Sequence, residues 1–197
     1  MISKNILRQE LLSKRSCITL EYMCYAGKQI CEKALDLKSY ENSHNIMCYM
    51  SIRNEVPTKL FIERCFKDKK TAVFPVCLSS QNMIAVKADS LSSITGKDFF
   101  GISGPDVIQK NGVDPKSIDL IIVPGVAFTV KGHRIGYGKG FFDRFLSNVR
   151  KDCVKVGFAY DFQVVTNDIQ PDEFDIPVDI IISEKSIYYN ENSSIQL

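Results

Sequence analysis

The stretch over residues 119–146 restricts the possible folds more than any other in this 197-residue chain. It opens with an unbroken apolar run, Leu120-Ile-Ile-Val123 behind Asp119, too short for a helix and without alternation. That is the pattern of a parallel strand covered on both faces. Pro124-Gly125 then imposes a turn. The loop beyond it has four glycines in nine residues, from 132 to 140, and carries Arg134 and Lys139. Helical spacing begins at Phe141-Phe142-Asp143-Arg144-Phe145-Leu146 and extends to about 149. A strand, a glycine-rich basic loop and a helix start are the parts that hold phosphate. Glycines admit an anion to the backbone, N–H groups point inward, and the helix N-terminus adds partial positive charge. The expected ligand is a nucleotide or another polyphosphate.

Around this stretch, helical and strand patterns alternate. Apolar periodicity predicts helices over 3–14, over 20–37 behind a Thr19 cap, and over 57–66, where Pro57 suits a first turn. Strands are expected over 46–52, 71–78, 82–88, 119–123, 155–159 and 179–183, with Pro75 disturbing one end of the second. The order implies an α/β three-layer sandwich with a mainly parallel central sheet, Rossmann-like, in one domain over 1–186. The Asn/Ser-rich segment over 187–197 is expected to fray. In such sheets ligands sit at the carboxyl ends of the strands, where the glycine loop falls.

Several function classes drop out. The net charge of +2 gives no general reason to expect nucleic acid or an anionic membrane as partner. No apolar run is long enough to span a bilayer. Seven cysteines, an odd number, include no C-x-x-C, and there are two histidines, which argues against a zinc site. Cys24 and Cys31 would lie about 10.5 Å apart along one helix, too far for a disulfide. A reducing, cytoplasmic compartment is expected. The basic, Ser-containing N-terminus looks superficially like a transit peptide, but Glu10 and the early helix argue against one. Charge is uneven: seven Lys/Arg over 128–155 stand against Asp143 and Asp152, whereas 156–184 holds seven acids and no base. That contrast is either solvated faces or a basic phosphate loop opposite an acidic segment able to carry a divalent cation.

The loop fails two familiar templates. Gly138-Lys139 is followed by Gly140, not by the Ser or Thr that a P-loop places on magnesium, and His133 stands where its first glycine belongs. Gly136-x-Gly138-x-Gly140 is one residue short of a dinucleotide fingerprint. Lys4 and Arg8, one helical turn apart, can reach one phosphate tail together. On spacing alone, a solvated basic face with Lys14 and Arg15 is the stronger reading of the pair. His44 and His133 read as surface residues, Met83 and Phe100 as ordinary core.

V-P-G-V-A-F-x-x-x-G-x-R-I-G-Y-G-K-G-F-F-D-R-F-L closely resembles the signature of the 5-formyltetrahydrofolate cyclo-ligases. Lys4-x-x-x-Arg8, Tyr49-Met-Ser-x-x-x-Glu55-Val-x-Thr58, Phe100-Gly-Ile-x-x-Pro105, Tyr160-x-x-Gln163, Pro171-x-Glu-x-Asp175 and Asp179-Ile-Ile-Ile follow that family in order. The resemblance is weakest over 15–45 and after 185. Two departures stand out: Phe141-Phe142 replaces a common Tyr-Tyr, and Gly104 replaces an acid before the mid-chain proline.

The resemblance implies an ATP- and Mg2+-dependent enzyme. ATP phosphorylates the formyl oxygen of 5-formyltetrahydrofolate, the second folate nitrogen attacks, and loss of phosphate leaves 5,10-methenyltetrahydrofolate and ADP. It implies ATP contacts at Lys4, Arg8, Arg134, Ile135, Gly136, Tyr137, Gly138, Lys139, Gly140, Phe141 and Phe142, with Arg134 and Lys139 as catalytic cations. Folate contacts are implied at Met50, Glu55, Tyr137, Gly138, Lys139, Gly140 and Phe141, and metal ligation at Asp143 and Asp175. Core packing is an equal reading of Met50, and a helix-start carboxylate an equal reading of Asp143. A monomer is expected. A non-catalytic folate- or nucleotide-binding protein on the same scaffold, and a different ATP-dependent kinase or ligase, remain as alternatives.

Overall fold

A computed structural model describes residues 3–106, 112–166 and 169–193. The chain opens with α1 (Lys4–Ser16), α2 (Leu20–Leu35) and the short α3 (Lys38–Asn42). Ser3 and Thr19 cap the first two, each side-chain oxygen accepting a backbone N–H from the first turn. Then come β1 (Asn45–Met47), α4 (Lys59–Lys67), β2 (Thr71–Cys77), β3 (Met83–Ala88), β4 (Gly96–Lys97), β5 (Ser103–Gly104) and β6 (Gly112–Val113). The central strand β7 (Leu120–Val123) leads through β8 (Ala127–Thr129) and β9 (Arg134–Ile135) into α5 (Phe141–Leu146). β10 (Val154–Phe158), β11 (Val164–Val165), β12 (Ile180–Ile182) and β13 (Ile187–Tyr189) complete the chain.

Eight strands form the main sheet in the order β13-β12-β10-β7-β1-β2-β3-β6. The run from β12 to β2 is parallel, and β13, β3 and β6 are antiparallel at the margins. Alternate side chains face opposite layers. Ile46, Leu120, Ile122, Val156 and Ile180 pack with Ala26, Ile30, Phe61 and Ile62 of α2 and α4. Met47, Val73, Ile121, Val123 and Ile181 pack with Phe145 and Leu146 of α5. This is the expected three-layer α/β sandwich. A separate sheet, β11-β8-β9, is covered by α1 through Leu7 and Leu11.

From β1 the sheet grows outward through β2, and from β7 it grows the opposite way through β10. The order therefore reverses between β1 and β7. The loops leaving those two strands diverge at their carboxyl ends, and the crevice that such a switch point leaves is where α/β sheets receive ligands.

Local departures from the sequence reading have physical causes. The strand expected over 46–52 ends at Met47; Cys48 still donates to Val73 O, and the chain then turns through Arg53 and Asn54 at φ 48° and 58°. The glycine loop is partly a hairpin, with Ala127 opposite Ile135 and Phe128 opposite Arg134. Gly132 closes that turn at φ 83°, where an added Cβ would lie 2.2 Å from Val178 O. The last turns expected up to 149 tighten into i→i+3 bonds, Asn148 N–H to Phe145 O and Val149 N–H to Leu146 O. Pro75 sits inside β2 opposite Ala85. Residues 187–189, within the segment expected to fray, pair with β12 as an edge strand; residues 194–197 lie outside the described residues.

Candidate active site

Three segments meet at the crevice: α1, the glycine loop after β7, and the acidic loop before β12. In the glycine loop, Arg134 stands on β9 and is buried. Its Nη2 donates to Asp143 Oδ1 at 2.7 Å, and its Nη1 to Pro124 O at 3.3 Å. Its Nε is buried without a hydrogen-bond partner. An orphaned guanidinium N–H is costly unless a ligand satisfies it, so it suits an anion such as phosphate. Gly138 and Gly140 take φ values of 89° and 63°, so the loop needs glycine at both positions.

The acidic loop faces the same point. Lys4 Nζ donates to Asp172 and to Asp175, each at 2.7 Å. Burial opposes the charge on Lys4, but hydrogen bonds to both carboxylates raise its pKa overall. Burial likewise opposes ionisation of Asp175; the Lys4 bond and the Asp172 N–H outweigh it and lower its pKa. Ile176 N–H lies 3.5 Å from Asp143 Oδ1, which brings the segment carrying Asp175 against the start of α5. Arg8 closes the circuit: its Nε donates to Gly136 O at 2.8 Å, and its guanidinium lies 3.8 Å from the Cβ position of Gly138. Among the described residues no group of three or more His, Cys, Asp or Glu is placed to hold a metal. Two carboxylates, Asp143 and Asp175, fit an ion that takes its other ligands from phosphate and water, as magnesium does.

Lys139 is exposed, its Nζ 3.7 Å from the centroid of the Phe100 ring. Phe100 is therefore not ordinary core: it is 37% exposed and meets Phe141 edge-on. Phe142 packs on the α5 layer under Arg134. Ile135 is buried beneath α1. Met50 is partly buried against the α2/α4 layer, and Met83 against the other. His133 is half-buried, with Nδ1 lacking a partner, rather than a free surface residue.

The other wall of the crevice comes from the turn after β1. Glu55 is 6% exposed. Its Oε1 accepts the Tyr137 hydroxyl at 2.7 Å and its Oε2 the Ile52 N–H at 3.0 Å. Burial raises its pKa despite these bonds and the nearby Arg15 and Arg53. Burial, with the Glu55 charge beside it, pushes the Tyr137 phenol up to about 12. Tyr160 supports the turn from below, its hydroxyl donating to Glu55 O at 3.2 Å. Gln163 holds the Pro-Gly turn through Gly125 O and Val126 O, at 3.2 and 2.8 Å.

Two residues escaped the sequence reading. Arg15, grouped there with a solvated basic face, is 1% exposed. Its signal was spacing: it follows the buried Leu7 and Leu11 by eight and four residues, on the same helix face. Asp172 escaped because an exposed acid within an acidic run carries no signal of its own.

The model of the 5-formyltetrahydrofolate cyclo-ligase family matches residues 1–184. A 5-formyltetrahydrofolate cyclo-ligase of Mycoplasma genitalium is 30% identical over 92% of this chain and 98% of its own length. The solution structure of Aquifex aeolicus 5,10-methenyltetrahydrofolate synthetase superposes with a TM-score of 0.83 at 30% identity, covering 98% of this chain and 96% of that one. A 5,10-methenyltetrahydrofolate synthetase from Mycoplasma pneumoniae superposes with a TM-score of 0.76 at 27% identity, over 93% and 99%.

Proposed function

The chain belongs to the 5-formyltetrahydrofolate cyclo-ligase family, and on that premise we propose that it closes 5-formyltetrahydrofolate to 5,10-methenyltetrahydrofolate, consuming ATP in the presence of Mg2+ and releasing ADP and phosphate. One observation carries this reading: the circuit from Arg134 through Asp143, the Asp175 segment and Lys4 to Arg8 and back to Gly136. It brings cations suited to a triphosphate and carboxylates suited to a metal to the switch point of the sheet.

An amide-like formyl oxygen is a poor leaving group. Its attack on the γ-phosphorus expels ADP and converts it into a phosphate ester. Attack by the second folate nitrogen on the formyl carbon then forms the new C–N bond; phosphate departs with that oxygen, and the nitrogen loses its proton. The protein's part is alignment and charge neutralisation. The Arg134 fork, with its free Nε, binds phosphate oxygens from the floor of the site. Lys139, held by no carboxylate among the described residues, follows the transferred group. Lys4 and Arg8 hold the phosphate tail from α1. Asp143 and Asp175 would hold magnesium, which supplies charge neutralisation on the phosphate oxygens when bound. Glu55, between α1 and the glycine loop, accepts hydrogen bonds from the folate ring, and Met50 lies on the same turn.

No helix among the described residues is long and apolar enough to cross a membrane. All seven cysteines are unpaired. Burial raises the thiols of Cys31 and Cys77 to about 11 and of Cys65 and Cys153 to about 12, so they stay protonated and unreactive. Unpaired thiols fit a reducing compartment such as the cytoplasm.

The test mixes purified protein with 5-formyltetrahydrofolate, ATP and magnesium, and follows the methenyl product by absorbance. Product and ADP should appear in equal amounts. Folate binding without turnover at high enzyme concentration would favour a non-catalytic binding protein.

A further inference from the structure

Arg15 is a guanidinium buried in the last turn of α1, 1% exposed. A buried charge persists only if paired or fully hydrogen-bonded. Among the described residues no carboxylate accepts a hydrogen bond from Arg15. Its Nη2 donates to the Tyr137 hydroxyl, and its Nη1 lies 3.5 Å from Gly125 O. The Tyr137 hydroxyl in turn donates a hydrogen bond to Glu55 Oε1 at 2.7 Å. The guanidinium also lies 5.6 Å from the Tyr137 ring centroid. Arg15 O in turn accepts from Asn54 Nδ2 at 3.3 Å, which fastens the turn carrying Glu55 to α1. Three segments that share no neighbouring sequence thus meet at one side chain.

We propose that Arg15 is a positioning residue of the folate pocket: from inside α1 it orients the Tyr137 hydroxyl toward Glu55 and keeps Glu55 a carboxylate able to accept hydrogen bonds from the ligand. This rests on the reading of Glu55 as the folate-side acid. Because a phenol has a single proton, accepting from Arg15 leaves the Tyr137 hydroxyl to donate to Glu55. Each bond of such a chain polarises the next. With Tyr137 on Oε1 and Ile52 N–H on Oε2, the carboxylate cannot rotate, and its remaining lone pairs are free for a ligand. The ionisable groups facing Glu55 are Arg15 from α1, Tyr137 from the glycine loop, Tyr49 and Arg53 from its own segment, and Tyr160 from beyond β10. Arg15 is the buried cation of that set. α1 also carries Lys4 and Arg8, so one rigid helix sets the nucleotide side and the folate side together.

The test is Arg15→Met, which keeps a stem of similar length and removes the charge. Loss of one charge-assisted chain should raise KM for 5-formyltetrahydrofolate by about tenfold or more, with KM for ATP changed less than about twofold. The acid limb of kcat/KM for the folate should move to higher pH, and Arg15→Lys should recover most of the loss. A folded Arg15→Met with wild-type KM and an unmoved limb would overturn the proposal. Should Arg15→Met not fold, Arg15→Lys and Tyr137→Phe form a double-mutant cycle. A residue acting through Tyr137 gives strongly non-additive effects on KM, and additive effects sink the idea. Titration of the Glu55 carboxyl by carbon NMR in ligand-free protein separates this proposal from the reaction it rests on. A higher pKa in the Arg15 variant supports the Arg15 role even if wild-type protein makes no methenyl product. An unchanged one refutes that role even if the enzyme is active.

Discussion

Arg134 and Asp143, nine residues apart across the glycine loop, are joined at 2.7 Å with the arginine side chain 5% exposed. Lys4 and Asp175, at opposite ends of the chain, repeat the relationship at the same distance. In each pair a cation suited to phosphate is held by a carboxylate suited to a metal. The ligand-free site therefore neutralises itself. In the proposed reaction Asp143 and Asp175 would turn to the metal and Arg134 and Lys4 to phosphate oxygens, so the cost of separating each pair would be offset by new contacts in the same place.

Asp143→Asn tests that exchange. It removes the counter-charge of buried Arg134, leaving the neutral amide oxygen of the new side chain and Pro124 O at 3.3 Å as acceptors. An uncompensated buried charge costs about 1–3 kcal/mol or more, so a measurable fall in denaturation midpoint is expected. Turnover should drop by at least about a hundredfold through loss of electrostatic stabilisation. Near wild-type stability together with near wild-type kcat would remove Asp143 from the site.

Lys139→Ala should separate activity from stability. Lys139 is exposed and reaches the Phe100 ring at 3.7 Å, with no carboxylate pairing it among the described residues. An exposed cation–π contact is worth about 0.5–1 kcal/mol at most, so the melting transition should hardly move. The kcat should fall by about two orders of magnitude if, as proposed, Lys139 supplies the charge on the transferred phosphate. Denaturation curves and kcat measured on one preparation decide it.

The contrast between these two variants shows what the sequence could and could not reveal. Local chemistry was legible: the apolar run at 120–123, the glycines at 138 and 140 and the cap at Thr19 each follow from short-range rules. Lys4, Asp143 and Asp175 stood out as candidates through motif resemblance. Their mutual pairing was not legible, since Lys4 and Asp175 are brought together by the packing of α1 against the acidic loop, which no local spacing encodes. Arg15 failed for a related reason. A charged residue defaults to solvent in any sequence reading, and only the placement of Tyr137 and Glu55 by two other loops supplies the partners that let it be buried. The hairpin at 127–135 was obscured because its glycines suggested open loop, while its strands are only three and two residues long.

Glu55 should make the protein less stable as pH rises. Its pKa is raised by burial in the folded state, so the folded state binds more protons than the unfolded one between the two pKa values. Stability contributed by this group is full below the unfolded value, about 4.5, and is lost as pH climbs through the raised folded value. Glu55→Gln abolishes that dependence. Relative to wild type, the variant should gain stability from acidic to neutral pH, while KM for the folate rises. Parallel stability curves for the two proteins across that window would show that Glu55 is not the group being titrated.

The ring of Phe128 is wedged between two glycines, and this wedge sets the position of Arg134. A Cβ on Gly125 would lie 2.4 Å from Phe128 Cζ, and one on Gly157 would lie 2.5 Å from Phe128 Cε1. Neither glycine has a positive φ, so the requirement is steric rather than conformational. Phe128 is fully buried and stands opposite Arg134 in the β8–β9 ladder. Gly157→Ala must therefore displace the ring, which pushes on the strand carrying the phosphate cation. Overpacking of this kind costs about 1–3 kcal/mol. KM for ATP should rise as well, although Gly157 itself is a strand residue beneath the site. Phe128→Leu frees space next to the new methyl group. Combined with Gly157→Ala it should cost less than the sum of the two single changes, because each relieves the other's strain. Strictly additive losses would mean that the alanine clashes with something other than Phe128.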